Sequence, residues 1–194
     1  MIAPRHVRVL VLIVAAALAG VPGWAPAADP AAPEGPRIGG HFKLLAADGT
    51  AVTDRSFPGE WLLIYFGYTF CPDACPTALT TIAAALHELG PLANRIQPIF
   101  ITVDPQRDTA PVLARYVKAF DPRLLGVTGS DTQIATIAQG FHVCYKVRSL
   151  GNEEYTIDHS SYIYLVDPAG RVVKLITGES ATHPLASELK RLIE

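Results

Sequence analysis

Residues 61–76 read Trp61-Leu62-Leu63-Ile64-Tyr65-Phe66-Gly67-Tyr68-Thr69-Phe70-Cys71-Pro72-Asp73-Ala74-Cys75-Pro76, and this stretch decides the fold. The unbroken apolar run Trp61 to Phe66 mixes aromatic and branched residues and suits a central strand buried on both faces. Gly67 and Pro72 mark a loop. From about Ala74 to Leu89 the residues Leu79, Ile82, Ala83, Leu86 and Leu89 recur three or four apart, the spacing of one helix face. A cysteine pair thus stands directly after a buried strand and at the opening of a helix. Unpaired N–H groups and the helix dipole favour thiolate over thiol there. Thiolate is the form that soft metals and disulfide exchange both require.

Upstream, His41 to Ala47 and Ala51-Val52 flank Asp48-Gly49, a hairpin signal. Downstream, a second buried strand is expected at Ile96 to Val103 and a helix at Ala110 to Ala119, capped by Asp108 or Thr109. A short strand at Leu124 to Thr128 and a helix at Asp131 to Gly140, capped by Ser130 or Asp131, come next. Strands are expected at Phe141 to Val147, Ser161 to Val166 and Arg171 to Ile176, the last two joined by the turn Asp167-Pro168-Ala169-Gly170. A helix from about Pro184 to Ile193 ends the pattern. Strand–helix–strand followed by hairpin and helix gives an α/β, thioredoxin-like fold: a mixed central sheet with helices on both faces and an insertion around Asp104 to Gly140.

The 194 residues suffice for one domain with its own core. With 16 Lys+Arg against 18 Asp+Glu and no basic block, neither nucleic acid nor a polybasic membrane patch is indicated. Arg5 and Arg8 precede an apolar stretch from Val9 to Val21, and Ala25-Pro26-Ala27 follows. That pattern reads as a signal peptide, residues 1–27, with a retained N-terminal membrane anchor as the alternative. Residues 28–39 read as an Ala/Pro-rich linker and 40–194 as the folded domain. The domain is then expected in an extracytoplasmic, oxidising space, the periplasm, either soluble or tethered to the inner membrane.

Three cysteines, Cys71, Cys75 and Cys144, are too few and too odd in number for a stapled scaffold. A static Cys71–Cys75 disulfide would close a loop of only a few residues and constrain little. Three residues between the cysteines, where a disulfide exchanger of this fold has two, widen the bite of the pair and suit chelation. Two sulfurs leave a soft metal ion short of donors. Of the histidines, His6 lies in the signal segment, and His41, His87, His142 and His183 read as surface or satisfied side chains. His159, in Asp158-His159-Ser160-Ser161, precedes the strand that begins beside the cysteine loop in a thioredoxin-like fold, where oxidoreductases place a cis-proline. A histidine there offers a metal ligand. Cys144 reads as a small buried or half-buried residue, with a third exchangeable thiol as the alternative.

The segment Gly67 to Thr77, with Thr102-Val103-Asp104-Pro105-Gln106-Arg107-Asp108-Thr109 and Asp158-His159-Ser160, resembles the Sco/SenC family, and the likeness runs from Gly39 onward. The resemblance implies a thioredoxin-like protein that binds copper, as Cu(I) and as Cu(II), through Cys71, Cys75 and His159. It implies a metallochaperone serving the binuclear copper centre of cytochrome c oxidase subunit II, with other periplasmic copper carriers or thiol reductants as further partners. Asp73, Asp104, Asp108 and Asp158 are candidates for supporting the ligands or for docking. The plainer readings are a turn residue for Asp73 and an ion pair with Arg107 for Asp104 and Asp108. A thiol–disulfide oxidoreductase that reduces the cysteines of the oxidase site, with Cys71 as nucleophile and Cys71/Cys75 as the redox pair, is the competing reading. A peroxiredoxin is disfavoured because Thr69 lies only two positions before Cys71.

Overall fold

Asp48-Gly49 turns the chain between β1 (Lys43–Ala46) and β2 (Ala51–Thr53), which pair antiparallel with Leu44 opposite Val52. The structure, a computed structural model, describes residues 38–177 and 185–194. The expected signal or anchor, most of the linker and His183 lie outside the described residues. β3 (Trp61–Gly67) is buried from Leu62 onward, as its unbroken apolar run requires. It passes through the cysteine loop into α1 (Ala74–Glu88), a 3-10 turn at Gly90–Arg95, and β4 (Ile96–Thr102), which lies parallel to β3. α2 (Ala110–Lys118) and β5 (Leu125–Thr128) repeat the unit. α3 (Asp131–Gly140) leads into a separate hairpin of β6 (Tyr145–Gly151) and β7 (Glu154–His159). The chain rejoins the main sheet as β8 (Tyr162–Val166), antiparallel to β3, and turns into β9 (Val172–Thr177); α4 (Leu185–Ile193) follows.

The main sheet has the order β2-β1-β5-β4-β3-β8-β9, so β3 sits between a parallel and an antiparallel neighbour. On one face Tyr65 meets Phe100, and Phe100 meets Tyr116 of α2. α4 reaches the same face, its Glu188 taking Lys174 of β9 at 3.3 Å. On the other face Phe66, Phe141 and Tyr164 form a cluster of tilted and edge-on rings at the end of α3. The thioredoxin-like mixed sheet covered on both faces is therefore what the chain forms. Among the described residues no helix is long and apolar enough to cross a membrane.

The chain departs from expectation between residues 141 and 160. The expected strand at Phe141 to Val147 starts only at Tyr145. Its first residues close α3 instead: Val143 N–H donates to the Ala138 carbonyl, His142 N–H to that of Gln139, and His142 takes φ 55°. This is a left-handed helix cap, normally signalled by glycine, and histidine hides it. Burial nevertheless alternates here, with Phe141 and Val143 inside and His142 outside. Cys144, expected buried or half-buried, is exposed. β7 was not anticipated, because Glu154 to His159 carries few apolar residues. At α3 the cap is Ser130, in a reciprocal box with Gln133. Thr109 occupies the α2 cap position without a side-chain bond, and Asp108 is engaged elsewhere.

The β6–β7 turn is Asn152-Glu153, with φ 50° and 64°. Both central residues are left-handed, which a two-residue hairpin of this type demands and which glycine meets most easily at the second position. Glu153→Gly is expected to stabilise the protein by about 0.5–1 kcal/mol, the left-handed cost less glycine's larger unfolded-state entropy. A rise in the urea midpoint at unchanged slope is the readout.

Candidate metal centre

α1 opens without a cap of the usual kind. Asp73 holds the cap position, yet its carboxylate makes no bond to the helix N-terminus. It lies only at the edge of hydrogen-bond range from Thr77 Oγ1, at 3.5 Å. The sulfur of Cys71 takes over. Cys75 N–H donates to Cys71 Sγ at 3.4 Å, and the turn is tightened by Cys71 N–H donating to the Tyr68 carbonyl. A helix N-terminus thereby points at a sulfur atom, which favours its anionic form.

Cys75 is fully buried beneath β3. It fits because residue 67 has no side chain: a Cβ at Gly67 would stand 2.5 Å from Cys75 Sγ and 3.0 Å from Phe100. From the far half of the chain, His159 ends β7 and brings Nε2 to 3.3 Å from Cys75 Sγ. One donor atom each from Cys71, Cys75 and His159 lie within 4.8 Å of one another.

The imidazole is aimed by its surroundings. Its Nδ1 lies 3.1 Å from the Ser160 carbonyl oxygen. In the neutral ring Nδ1–H donates there, leaving the Nε2 lone pair on the sulfurs; in the protonated ring Nε2–H donates to them. The rings of Tyr65 and Tyr68 meet it edge-on at 6.2 and 5.8 Å. Both tyrosines brace the same region: the Tyr65 hydroxyl pairs with Ser161 Oγ at 2.9 Å. The Tyr68 hydroxyl pairs with Thr156 Oγ1 at 2.8 Å and accepts the Ile157 N–H.

The two thiols are unequal. The Cys75 thiol donates to Cys71 and pulls the Cys71 thiol down to about 4; the imidazole and the N–H groups of Cys75 and Asp73 help, against the opposing cost of burial. Donation to Cys71, burial and the neighbouring negative charge push Cys75 far up. The pair at rest is a half-buried thiolate beside a buried thiol. Soft sulfur and borderline nitrogen donors, with no carboxylate in the group, fit copper and do not fit a hard cation. Three donors fall short of the four of a structural zinc site.

The four aspartates separate. Asp108 is fully buried and accepts from Thr69 N–H at 2.9 Å, Thr69 Oγ1–H at 2.6 Å and Thr102 Oγ1–H at 2.7 Å, which ties down the cysteine loop. Burial holds its carboxyl above the usual range despite these bonds. Asp104 pairs with Arg107 and accepts the Tyr155 hydroxyl at 2.8 Å. Arg107 thus pairs with Asp104, while Asp108 bonds threonines. Asp158 does not orient His159: it turns outward to Arg148, as adjacent residues on a strand do, and Ser160 supplies the contact. His41 pairs with Asp54, while His87 and His142 are exposed. Gly67, Tyr65 and Tyr68 were not singled out from sequence. Gly67, at the end of the strand run just ahead of the cysteines, was the available signal.

A thioredoxin-like domain with a Cys–Cys–His donor set is thereby defined. The sequence model of the SCO1/SenC family matches residues 30–194, and the chain belongs to that family. The Arabidopsis thaliana protein SCO1 homolog 1, mitochondrial, is 41% identical over 138 residues, 71% of this chain and 41% of the relative. The structure of Bradyrhizobium japonicum ScoI with copper bound is 42% identical with TM-score 0.74, covering 79% of this chain and 98% of that one. The crystal structure of Arabidopsis thaliana ScoI with copper bound is 37% identical with TM-score 0.72, covering 80% and 96%. The chain spans about half the length of the curated relatives it matches.

Two outcomes follow from the geometry. Gly67→Ala is expected to displace the Cys75 sulfur and to destabilise the protein by about 1–3 kcal/mol, the overpacking scale, measured by denaturant unfolding. In the reduced protein, alkylation of Cys71 by iodoacetamide should be nearly flat from roughly pH 5 to 8, because the thiolate is lost only as pH falls toward its depressed value. Cys75 should stay unreactive, as peptide mapping of the alkylated protein will read.

Proposed function

We propose that this protein is a copper metallochaperone that delivers copper to the binuclear copper centre of cytochrome c oxidase subunit II, holding the ion with Cys71, Cys75 and His159. One observation carries the reading: two thiols from a helix opening and an imidazole far along the chain meet within 4.8 Å. The copper-bound state named for the relatives from Bradyrhizobium japonicum and Arabidopsis thaliana supports the choice of metal. The oxidase target rests on the family resemblance. Cu(I) suits two thiolates and an imidazole in a near-trigonal set. Copper is the cargo, and unequal burial orders its exchange: half-buried Cys71 and His159 face an incoming ligand, while buried Cys75 holds on longest. Loading requires Cys75 to give up its proton. Residues 1–27 direct the domain out of the cytoplasm, as signal or anchor, and 28–39 link it to the domain at 40–194.

A second reading is favoured by the unequal thiols. The Cys71 thiolate attacks a target disulfide, forms a mixed disulfide and expels one target thiolate. Cys75, once deprotonated, then attacks the Cys71 sulfur and releases the other. The target gains two electrons and this chain ends as the Cys71–Cys75 disulfide.

The test is copper binding by wild type and His159→Ala under reducing conditions. The chaperone reading expects one Cu(I) per chain. Losing a ligand should weaken it by more than the roughly 10–100-fold that loss of a supporting contact costs. Equal copper affinity in the two proteins, with disulfide exchange retained in both, would leave the reductase reading alone.

A further inference from the structure

The donor set has two halves that no covalent neighbour holds together. Cys71 and Cys75 belong to the loop and helix after β3, and His159 to the end of a hairpin that pairs with no strand of the main sheet. The segment between β4 and α2 touches both halves. Toward the cysteines, Val103 N–H donates to the Gly67 carbonyl at 2.8 Å, and Asp108 holds Thr69. Toward the hairpin, the segment presents Arg107, whose guanidinium meets three aromatic rings, that of Tyr68 at 5.7 Å and two closer ones.

Its carbon lies 3.6 Å from the centre of the Tyr155 ring on β7 and 4.8 Å from that of Phe70, the residue before Cys71. Nη1–H donates to the Tyr155 carbonyl at 3.0 Å, and Nε–H donates to Asp104, whose other oxygen accepts the Tyr155 hydroxyl. Tyr155 is thus gripped at ring, carbonyl and hydroxyl, four residues before His159 on the same strand. Phe70 is 62% exposed, an unusual setting for a phenylalanine, and the guanidinium is what it packs on. Buried Nη2 has no hydrogen-bond partner among the described residues, so ring contacts rather than a full set of hydrogen bonds place this group.

We propose that Arg107 is a positioning residue of the metal centre, joining the Cys71 loop through Phe70 to the His159 strand through Tyr155, so that the two halves of the donor set keep a fixed separation. The inference rests on the copper-site reading for its consequence and on the contacts alone for its mechanism. Only a flat, forked cation does this: it stacks on the rings while donating in its plane to Asp104 and to the Tyr155 carbonyl, which a lysine ammonium cannot do at once.

The test compares wild type, Arg107→Ala, Arg107→Lys and the surface variant Phe70→Leu, which removes the ring face without emptying the core. In the metal-free protein, amide hydrogen exchange should quicken in both 69–71 and 155–159 for Arg107→Ala, with the sheet unchanged. Phe70→Leu should free 69–71 alone. With copper, the affinity of Arg107→Ala should fall about tenfold, the scale of losing a contact behind a ligand. The Cu(II) thiolate charge-transfer band should shift as well. Arg107→Lys should recover thermal stability but not affinity. Full recovery of affinity by lysine would make the role one of charge alone and overturn the proposal. So would exchange that is unchanged or uniformly raised in Arg107→Ala. Copper bound identically by wild type and Arg107→Ala would defeat this inference and leave the chaperone reading standing. Failure of wild type to bind copper would defeat that reading, while the exchange data still decide on the coupling.

Discussion

Cys71 sulfur at the uncapped start of α1 is the contact on which the rest of the site depends. A helix end with free N–H groups needs an acceptor, and the residue in the cap position does not supply one. Cys71 supplies it because it stands four residues before Cys75, whose N–H reaches its sulfur. The same four-residue offset turns Cys75 inward, under Gly67. Spacing, thiolate character and unequal burial are thus one fact. Asp73, in place between the cysteines, leaves the first turn to sulfur.

The third donor arrives through the sheet. β8 pairs with β3 so that Ile163 stands opposite Tyr65. The residues just before β8 must therefore pass beside the loop just after β3. The end of the hairpin is latched there by the Ser160 N–H donating to the Cys144 carbonyl, by the Cys144 N–H donating to Ser160 Oγ, and by Tyr65 on Ser161. Tyr68 runs from the cysteine loop to β7 and leaves its hydroxyl on Thr156 and Ile157. Were that hydroxyl lost, the Ile157 N–H, buried with its residue, would be left unpaired, a cost of about 1–3 kcal/mol. Aromatic struts and hydrogen-bond latches bring the imidazole to the sulfurs.

Legibility in the sequence followed the reach of the interactions. β3, α1, β4 and the turn at Asp48-Gly49 announced themselves because apolar period and turn chemistry act over a few residues. Gln133, by contrast, closes its own cap and also donates to the Lys43 carbonyl at 2.8 Å, a distant tie that no local pattern carries. β7 escaped notice since a hairpin standing off the main sheet needs little apolar alternation. Its partner strand was placed too early because His142 fills a cap position that glycine usually advertises. The grouping of Cys71, Cys75 and His159 was readable from position and family likeness. Arg107 was readable only as an ion-pair partner, because its ring contacts join residues 37, 39 and 48 positions away (Phe70, Tyr68 and Tyr155).

Unequal thiols also constrain how the two proposed activities can share one site. Copper binding needs both sulfurs reduced and both protons gone. Reduction of a target disulfide leaves Cys71 joined to Cys75, and a disulfide sulfur is a poor ligand for Cu(I). A chain that has reduced its target has therefore spent its own donor set. Copper must then come from a second, loaded chain, or from the same chain after an outside thiol reductant reopens the pair. Because Cys71 is the accessible sulfur in either case, target thiolate and reductant would approach the same side of the molecule, past Phe70. Reduction and delivery would then be successive occupations of that approach, and a loaded chain would be unable to act as the reductant until its copper had left.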